Sequence, residues 1–345
     1  MRHAYILLGV ATALGISLFL LIFFVLPKPE SLTGPYYFPV HLPQALNRAT
    51  PLASTPEHAG ATITFVGDIM LARSVEESII ENGLDNPFAK LGDLLVSSDL
   101  VVGNFEGTVR EQRNIEVTNQ MSFDTTPDNV GILSAAGFTH LSLANNHADD
   151  YGPKVTLGSR QAITDNGMVP FGDPLHGEQF IARENVNGVS ISIIGYHAFG
   201  EKINDILDAI TAEHEQGRFV IVYPHWGVEY ATEAPSVETY PAQLMVNAGA
   251  DLIVGAHPHV IQNIEFIDGV PVIYSLGNFL FDQDFSKETQ QGLVAQVAID
   301  NDSINIVLKP VSIKNRQTLP MDATSAQKIF DTLGLPNGQL SVPRQ

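Results

Sequence analysis

Five of the eleven histidines in this 345-residue chain stand just after short apolar runs, in company with carboxylates and carboxamides. Asp68 follows the run 62–66 through Gly67, Asn104 and Glu106 follow 100–102, and Asn145, Asn146 and His147 follow 140–143. His197 follows 189–194, His225 and Trp226 follow 219–222, His257 and His259 follow 252–254, and Asn278 follows 271–274. Imidazole nitrogen with carboxylate and amide oxygen, and no sulfur, is a donor set for Zn²⁺, Mn²⁺ or Fe. A metal held in this way acidifies water and neutralises a phosphoryl or carboxyl oxygen. In His257-Pro258-His259 the proline helps fix the backbone bend that sends both rings to one cluster.

Each residue also has a plainer reading. A single histidine such as His197 is more often a satisfied buried side chain, and it is kept out of the ligand set. Asn278 could shape a turn. Trp226, the only tryptophan, reads as packing. Asp149 and Asp150 could cap a helix beginning near Pro153, and Glu106 could pair with a cation such as Arg73 or Arg110. Four core histidines with no shared role are harder to explain, so His147, His225, His257 and His259 are assigned to metal binding.

The elements that must position these groups are strands buried on both faces. The runs 62–66, 100–102, 140–143, 189–194, 219–222, 252–254 and 271–274 are apolar at nearly every position. Helical patterns alternate with them. Ser74 with Glu77 reads as a capping box, and Asn86-Pro87 and Thr126-Pro127 as cap-plus-proline starts. Gly137, Gly217 and Gly249 read as helix stops. Asp300-Asn301-Asp302-Ser303 reads as a hairpin turn. The pattern is α/β, with a mixed sheet or two packed sheets, and ligands in such folds bind at the carboxyl ends of parallel strands.

Composition narrows the function. With 18 Lys and Arg against 38 Asp and Glu the formal net charge is −20, which argues against nucleic acid as a partner. The absence of cysteine excludes a disulfide scaffold, thiolate metal sites and a cysteine nucleophile.

At the amino end, residues 5–26 form an uncharged apolar stretch long enough to span a bilayer. With no A-x-A site after it, the segment 1–26 reads as an uncleaved single-pass anchor rather than a cleaved signal, placing the protein in the cell membrane with its domain on the extracytoplasmic side. Residues 27–60 hold seven of the 21 prolines and read as an extended spacer. The main domain is expected over 61–314, with a short helix at 322–334 and a frayed tail at 335–345.

Six ordered motifs then carry a resemblance. They are Gly67-Asp68-Ile69-Met70-Leu71, Gly103-Asn104-Phe105-Glu106-Gly107, and Ala144-Asn145-Asn146-His147-Ala148-Asp149-Asp150-Tyr151-Gly152. After these come His225-Trp226-Gly227-Val228-Glu229-Tyr230, Gly249-Ala250-Asp251 with His257-Pro258-His259-Val260, and Tyr274-Ser275-Leu276-Gly277-Asn278-Phe279. Over about 62–308 the chain resembles the CapA family of poly-γ-glutamate capsule biosynthesis proteins, which is in turn similar to calcineurin-like metallophosphoesterases.

The resemblance implies a four-layer α-β-β-α sandwich of the metallophosphoesterase type around one or two divalent ions. It implies an envelope protein working with a polymer ligase and export subunits on an anionic polymer. Carried over by motif, Asp68, Asn146, His225, His257 and His259 are metal ligands and His147 is the histidine that polarises or protonates substrate. Asn104, Asn145, Asp150, Glu229 and Asn278 line the site. Two positions depart from the pattern. Met70 stands where the phosphoesterases have a second ligand histidine, and the bridging aspartate must be replaced by Glu106 or Asn104. Three functions stay open: assistance in synthesis, release or export of poly-γ-glutamate or a related polymer; a metal-dependent phosphoesterase or other hydrolase independent of a capsule; and a non-catalytic assembly module with a structural metal.

Overall fold

The computed structural model describes residues 60–111, 122–173 and 180–344. The stretch 5–26, and all but the last residue of 27–60, lie outside them.

The first half of the described chain runs β1 (Ala61–Ile69), α1 (Arg73–Asn82), β2 (Leu100–Phe105), β3 (Thr108–Val109), β4 (Asp124–Thr125), α2 (Pro127–Ala135), β5 (His140–Ser142), α3 (Pro153–Asp165) and β6 (Val169–Phe171). Next come β7 (Ile181–Val186), β8 (Val189–His197), α4 (Ile203–Glu215), β9 (Phe219–His225), α5 (Ser236–Ala248) and β10 (Leu252–Val254). The chain closes with β11 (Ile264–Ile267), β12 (Val270–Ile273), β13 (Asn278–Leu280), β14 (Gln291–Ile299), β15 (Ser303–Lys314), β16 (Gln317–Pro320), α6 (Ala323–Thr332) and β17 (Gln339–Pro343).

This is a mixed α/β fold with several sheets. A nine-stranded sheet has the order β16-β15-β14-β1-β2-β5-β6, with β13 beside β1 and β17 beside β15. Within it β1, β2, β5 and β6 are parallel, and β14 to β16 run as antiparallel neighbours. A six-stranded sheet, β11-β12-β10-β9-β8-β7, is parallel at its centre and antiparallel at both edges. Strands β3 and β4 form a separate pair.

The period of two along each strand explains why the apolar runs are continuous. Ile63, Phe65 and Val102 from the first sheet meet Ile191, Ile221 and Val254 from the second in one inter-sheet core. The alternate positions serve other cores. Val66 and Val101 pack against α1, α2 and α3 through Val75, Leu133 and Ile163. Val220, Val222 and Ile253 pack against α4 and α5 through Ile210 and Met245. A strand sandwiched between a sheet and a helix layer has no face to leave polar.

Several local expectations hold. Thr126 caps α2, accepting the Asn129 amide at 3.4 Å, with Pro127 in the first turn. Gly249 ends α5 in the left-handed region. The turn at 300–303 joins β14 to β15, and Asp322 caps α6 by accepting from the Ser325 amide.

Others are corrected. Ser74 does not cap α1; its hydroxyl donates to Asp282 Oδ2 at 3.0 Å and accepts from Arg316 Nε at 2.7 Å, so tertiary partners outcompete the local box. No α-helix starts at Pro87, because Asn86 turns its amide onto Ser78 Oγ. The tail does not fray: β17 pairs with β15, and Leu340 and Val342 are buried in the inter-sheet core.

The single-pass membrane placement is also corrected. Among the described residues no helix is long and apolar enough to cross a membrane. The longest have 13 residues, about 20 Å at the usual rise, against a hydrocarbon core of about 30 Å. The stretch 5–26, on which that expectation rested, lies outside the described residues.

Candidate metal centre

The carboxyl ends of β1, β2, β5, β9 and β10 deliver their polar residues to one place. Asp68 lies in the final residues of β1, wholly buried, and Asn104 Nδ2 on β2 donates to its Oδ1 at 2.7 Å. The same Asn104 nitrogen lies 3.1 Å from His225 Nδ1. On the other face of His225, Nε2 lies 2.7 Å from Asn146 Oδ1 and 3.0 Å from His257 Nδ1. His259 Nδ1 lies 2.9 Å from Asn278 Oδ1 and 3.3 Å from Asp68 Oδ2. The His257 amide donates to Asp68 Oδ2 at 3.2 Å, which ties β10 to β1 across the two sheets.

Two sets of three donors are close enough to share an ion. Atoms of Asp68, Glu106 and His225 lie within 4.8 Å of one another, all buried, and so do atoms of Glu229, His257 and His259, of which Glu229 is exposed. Asp68, Asn146, His225, His257 and His259 converge with Glu106 and His147, and Asn104 and Asn278 lie beside them. Asn145 acts behind them, donating to Asn104 Oδ1 at 3.0 Å and to the Phe105 carbonyl at 2.9 Å, and accepting the His147 amide.

The donor set passes one test of fit to a cation. Both oxygens of Glu106 are buried and have no hydrogen-bond partner among the described residues. A buried carboxylate without hydrogen bonds is among the most expensive groups a fold can hold, unless it is neutralised or given a cation. Burial pushes Glu106 well above the usual carboxylate range, with the His259 charge opposing and Asp68 and Glu229 adding to the shift. Burial lowers His259, yet Glu106 and Asp68 overcome it and lift the ring to about 9. Burial and the His259 charge hold His257 down at about 4. His225 is driven well below its usual value by burial and by His257. Without an ion, one imidazolium thus carries the positive charge among several acids, while two imidazoles stay neutral and able to ligate.

The backbone is bent where it enters the site. His257 and His259 have φ of 99° and 59°, and Arg73 and Tyr230 also lie in the left-handed region. Four such residues gathered at one site mark stored strain that the surrounding packing sustains.

Met70 is not part of the centre. It is fully buried in the helix-side apolar core, and its sulfur accepts the Ala72 amide at 2.9 Å. Trp226 packs as expected, its indole donating to the Tyr274 carbonyl at 2.9 Å. Asp150 does not cap α3, whose N-cap is Gly152. Instead its Oδ2 lies 2.9 Å from His147 Nδ1 and accepts the Phe123 amide at 2.7 Å. Phe123 stacks on the His147 ring at 3.9 Å between centroids, and the Arg73 guanidinium lies 4.5 Å from the Phe123 ring centroid. No sequence motif marked Phe123, because it stands just before the two-residue strand β4, which has no pattern to read. Phe199 was likewise missed, and its ring stands 4.5 Å from His257.

The sequence profile of the bacterial capsule synthesis protein family PGA_cap matches residues 62–283. The chain is 32% identical over 299 residues to the PGA biosynthesis protein CapA of Bacillus subtilis, covering 81% of this chain and 78% of that one. It is 32% identical over 289 residues to the capsule biosynthesis protein CapA of Bacillus anthracis, covering 77% and 70%. A probable polyglutamine synthesis accessory protein of Mycobacterium tuberculosis is 23% identical over 218 residues, 54% of this chain and 57% of that one. On the profile match and the two relatives at that identity, this chain belongs to the CapA family of bacterial capsule synthesis proteins.

Proposed function

We propose that this protein serves synthesis, release or export of poly-γ-glutamate or a related anionic polymer, holding or cutting the chain at a divalent-metal centre. The observation that carries the reading is the Glu106 carboxylate, buried with no hydrogen-bond partner among the described residues beside Asp68, His225 and His259 at the parallel-strand ends. Family membership supports the polymer. The succession of helices, sheet, sheet and helices supports the four-layer metallophosphoesterase type of sandwich.

Asp68, Glu106, Asn146, His225, His257 and His259 would hold Mn²⁺, Zn²⁺ or Fe, as one ion or two. When bound, such a metal polarises a carbonyl or phosphoryl oxygen and makes water available as a nucleophile at neutral pH. The chain's own residues supply the rest. Asp150 fixes the orientation of His147, and the Phe123 stack holds the ring flat, so that its Nε2 faces the site 3.8 Å from Glu106 Oε1. His147 is then placed to pass a proton to a leaving nitrogen or oxygen. Asn145 and Asn104 brace Asp68 and His225 from behind. A polymer ligase and export subunits are the partners this role requires.

The test is incubation of the purified protein, with Mn²⁺ or Zn²⁺ supplied, with γ-linked polyglutamate of defined length. Binding, or a shift to shorter chains that is lost in His147→Ala, supports the reading. The absence of both binding and shortening overturns it. Turnover of a phosphodiester alone would put the independent hydrolase in its place.

A further inference from the structure

Three segments that reach the metal centre run straight on into a second cavity, of about 400 Å³. Ile261 and Asn263 on its lining follow His259, Thr232 and Glu233 follow Tyr230, and Lys287 follows Gln283 and Phe285. Two residues of extended chain reach about 7 Å at most, so the cavity begins close to the ligand histidines. The Tyr230 ring lies 6.1 Å from that of His259 and 5.1 Å from that of Phe285, which brings two of these segments together beside the centre. Helix α6 adds Lys328 and Ile329 to the lining. The volume falls in the range of small-ligand sites.

The lining is tied to the centre by buried hydrogen bonds. Asn278 Oδ1 lies 2.9 Å from His259 Nδ1, and its Nδ2 donates to the Thr289 carbonyl at 2.9 Å and to Gln283 Oε1 at 3.0 Å. That holds the loop carrying Lys287 against the metal centre. Asn263 Oδ1 accepts the Ala234 amide at 2.9 Å, joining the other two segments. A ligand in the cavity therefore lies at a fixed offset from one at the metal.

Lys287 and Lys328 are exposed, and among the described residues neither ammonium group has an ion pair or hydrogen bond. In a chain with 38 acids to 18 bases, two unengaged ammonium groups on one cavity locally reverse the prevailing field and mark where a carboxylate can approach. Glu233 and Glu288, also exposed, line the same cavity. They repel an anion that has no hydrogen to donate, and they accept from an amide N–H. Ile261, Ile329 and Leu333 add half-buried apolar surface. Carboxylates, amide N–H groups and methylenes together describe a polyamide acid, and a simple polyanion offers only the first.

We propose that this cavity is a second subsite for the polymer, seating a stretch of the chain whose neighbouring residues lie at the metal centre; this rests on the polymer-handling reading above. Lys287 and Lys328 take carboxylates of the polymer, Glu233 and Glu288 accept from its amides, and the isoleucines lie against its methylenes. A chain long enough to fill both places is held at two points, so length selects the substrate.

The test uses the full chain with Mn²⁺ supplied, titrated by calorimetry with a γ-linked glutamate trimer, a γ-linked decamer and a polyphosphate of similar length. Wild type is compared with the Lys287→Gln, Lys328→Gln double variant, with metal content and melting temperature measured alongside. Wild type should bind the decamer about tenfold more tightly than the trimer, or better. The double variant should lose about tenfold in decamer affinity and little in trimer affinity, with metal content and melting temperature unchanged, because both lysines are exposed. Unchanged decamer affinity in the variant, an equal loss for trimer and decamer, or polyphosphate bound as tightly as the decamer overturns the proposal while the polymer reading stands. If wild type binds neither γ-linked ligand, the polymer reading fails and the subsite with it.

Discussion

His147 Nδ1 and Asp150 Oδ2 lie 2.9 Å apart, and the same carboxylate oxygen accepts the Phe123 amide at 2.7 Å. One oxygen thereby fixes the histidine ring and the segment that stacks on it. This arrangement gives His147 a defined tautomer and heading before any substrate arrives, the requirement for a positioned proton donor.

Asp150→Asn should retain the geometry and replace the carboxylate that orients His147 Nδ1 with a neutral amide. Turnover of the polymer should fall on the order of 100-fold with KM and metal content unchanged. Steady-state kinetics with parallel metal analysis checks this. A variant with wild-type turnover would show that His147 is a structural residue.

Glu106→Gln replaces a buried carboxylate that has no hydrogen bond among the described residues with a neutral isostere. In chelator the variant should melt no lower than wild type, because a desolvated acid is removed. With Mn²⁺ at about 100 times its Kd, wild type should gain about 2.7 kcal/mol, a rise of about 5 °C or more, and the variant should gain little. Differential scanning fluorimetry with and without metal reads both. Equal gains in the two proteins would remove Glu106 from the ligand set.

Glu238, wholly buried on α5, is pushed up to about 7 by burial, against the Gln262 amide and the Val228 backbone. Its folded-state value sits above that of the unfolded chain, so the folded protein holds a proton that the unfolded chain has lost between about pH 4.5 and 7. Stability therefore falls as pH rises through that window and is level above it. Glu238→Gln should match wild type near pH 5 and exceed it by on the order of 2 kcal/mol at pH 8. Glu201, also raised to about 7 by burial, leaves a residual slope in the variant. Parallel melting profiles from pH 5 to 8 would contradict the assignment.

The central strands were legible because burial on both faces leaves an unbroken apolar run, as in β1 and β9. The edge strands β7 and β11 were not, since each carries a polar face, and β13 has only three residues. The site was legible for a related reason. Polar residues directly after a buried strand have few places to be except the sheet edge, so Asp68, Asn146, His225 and His257 declared themselves. Contacts between side chains of distant segments left no such trace. Ser74 with Asp282, Phe123 with His147, and the unpaired nitrogens of His197 depend on loops whose paths no periodicity records. Asp150 looked like a helix cap because its distance in sequence from Pro153 suits one, and only the fold turns it towards His147.

The most direct measurement is the divalent-metal content of the purified chain after equilibration with Mn²⁺ or Zn²⁺, set beside the His257→Ala, His259→Ala double variant. The account predicts one or two ions per chain in wild type, falling towards zero in the double variant while the fold survives. A wild-type protein that takes up no ion at saturating metal, or a double variant that keeps the full complement, would contradict it.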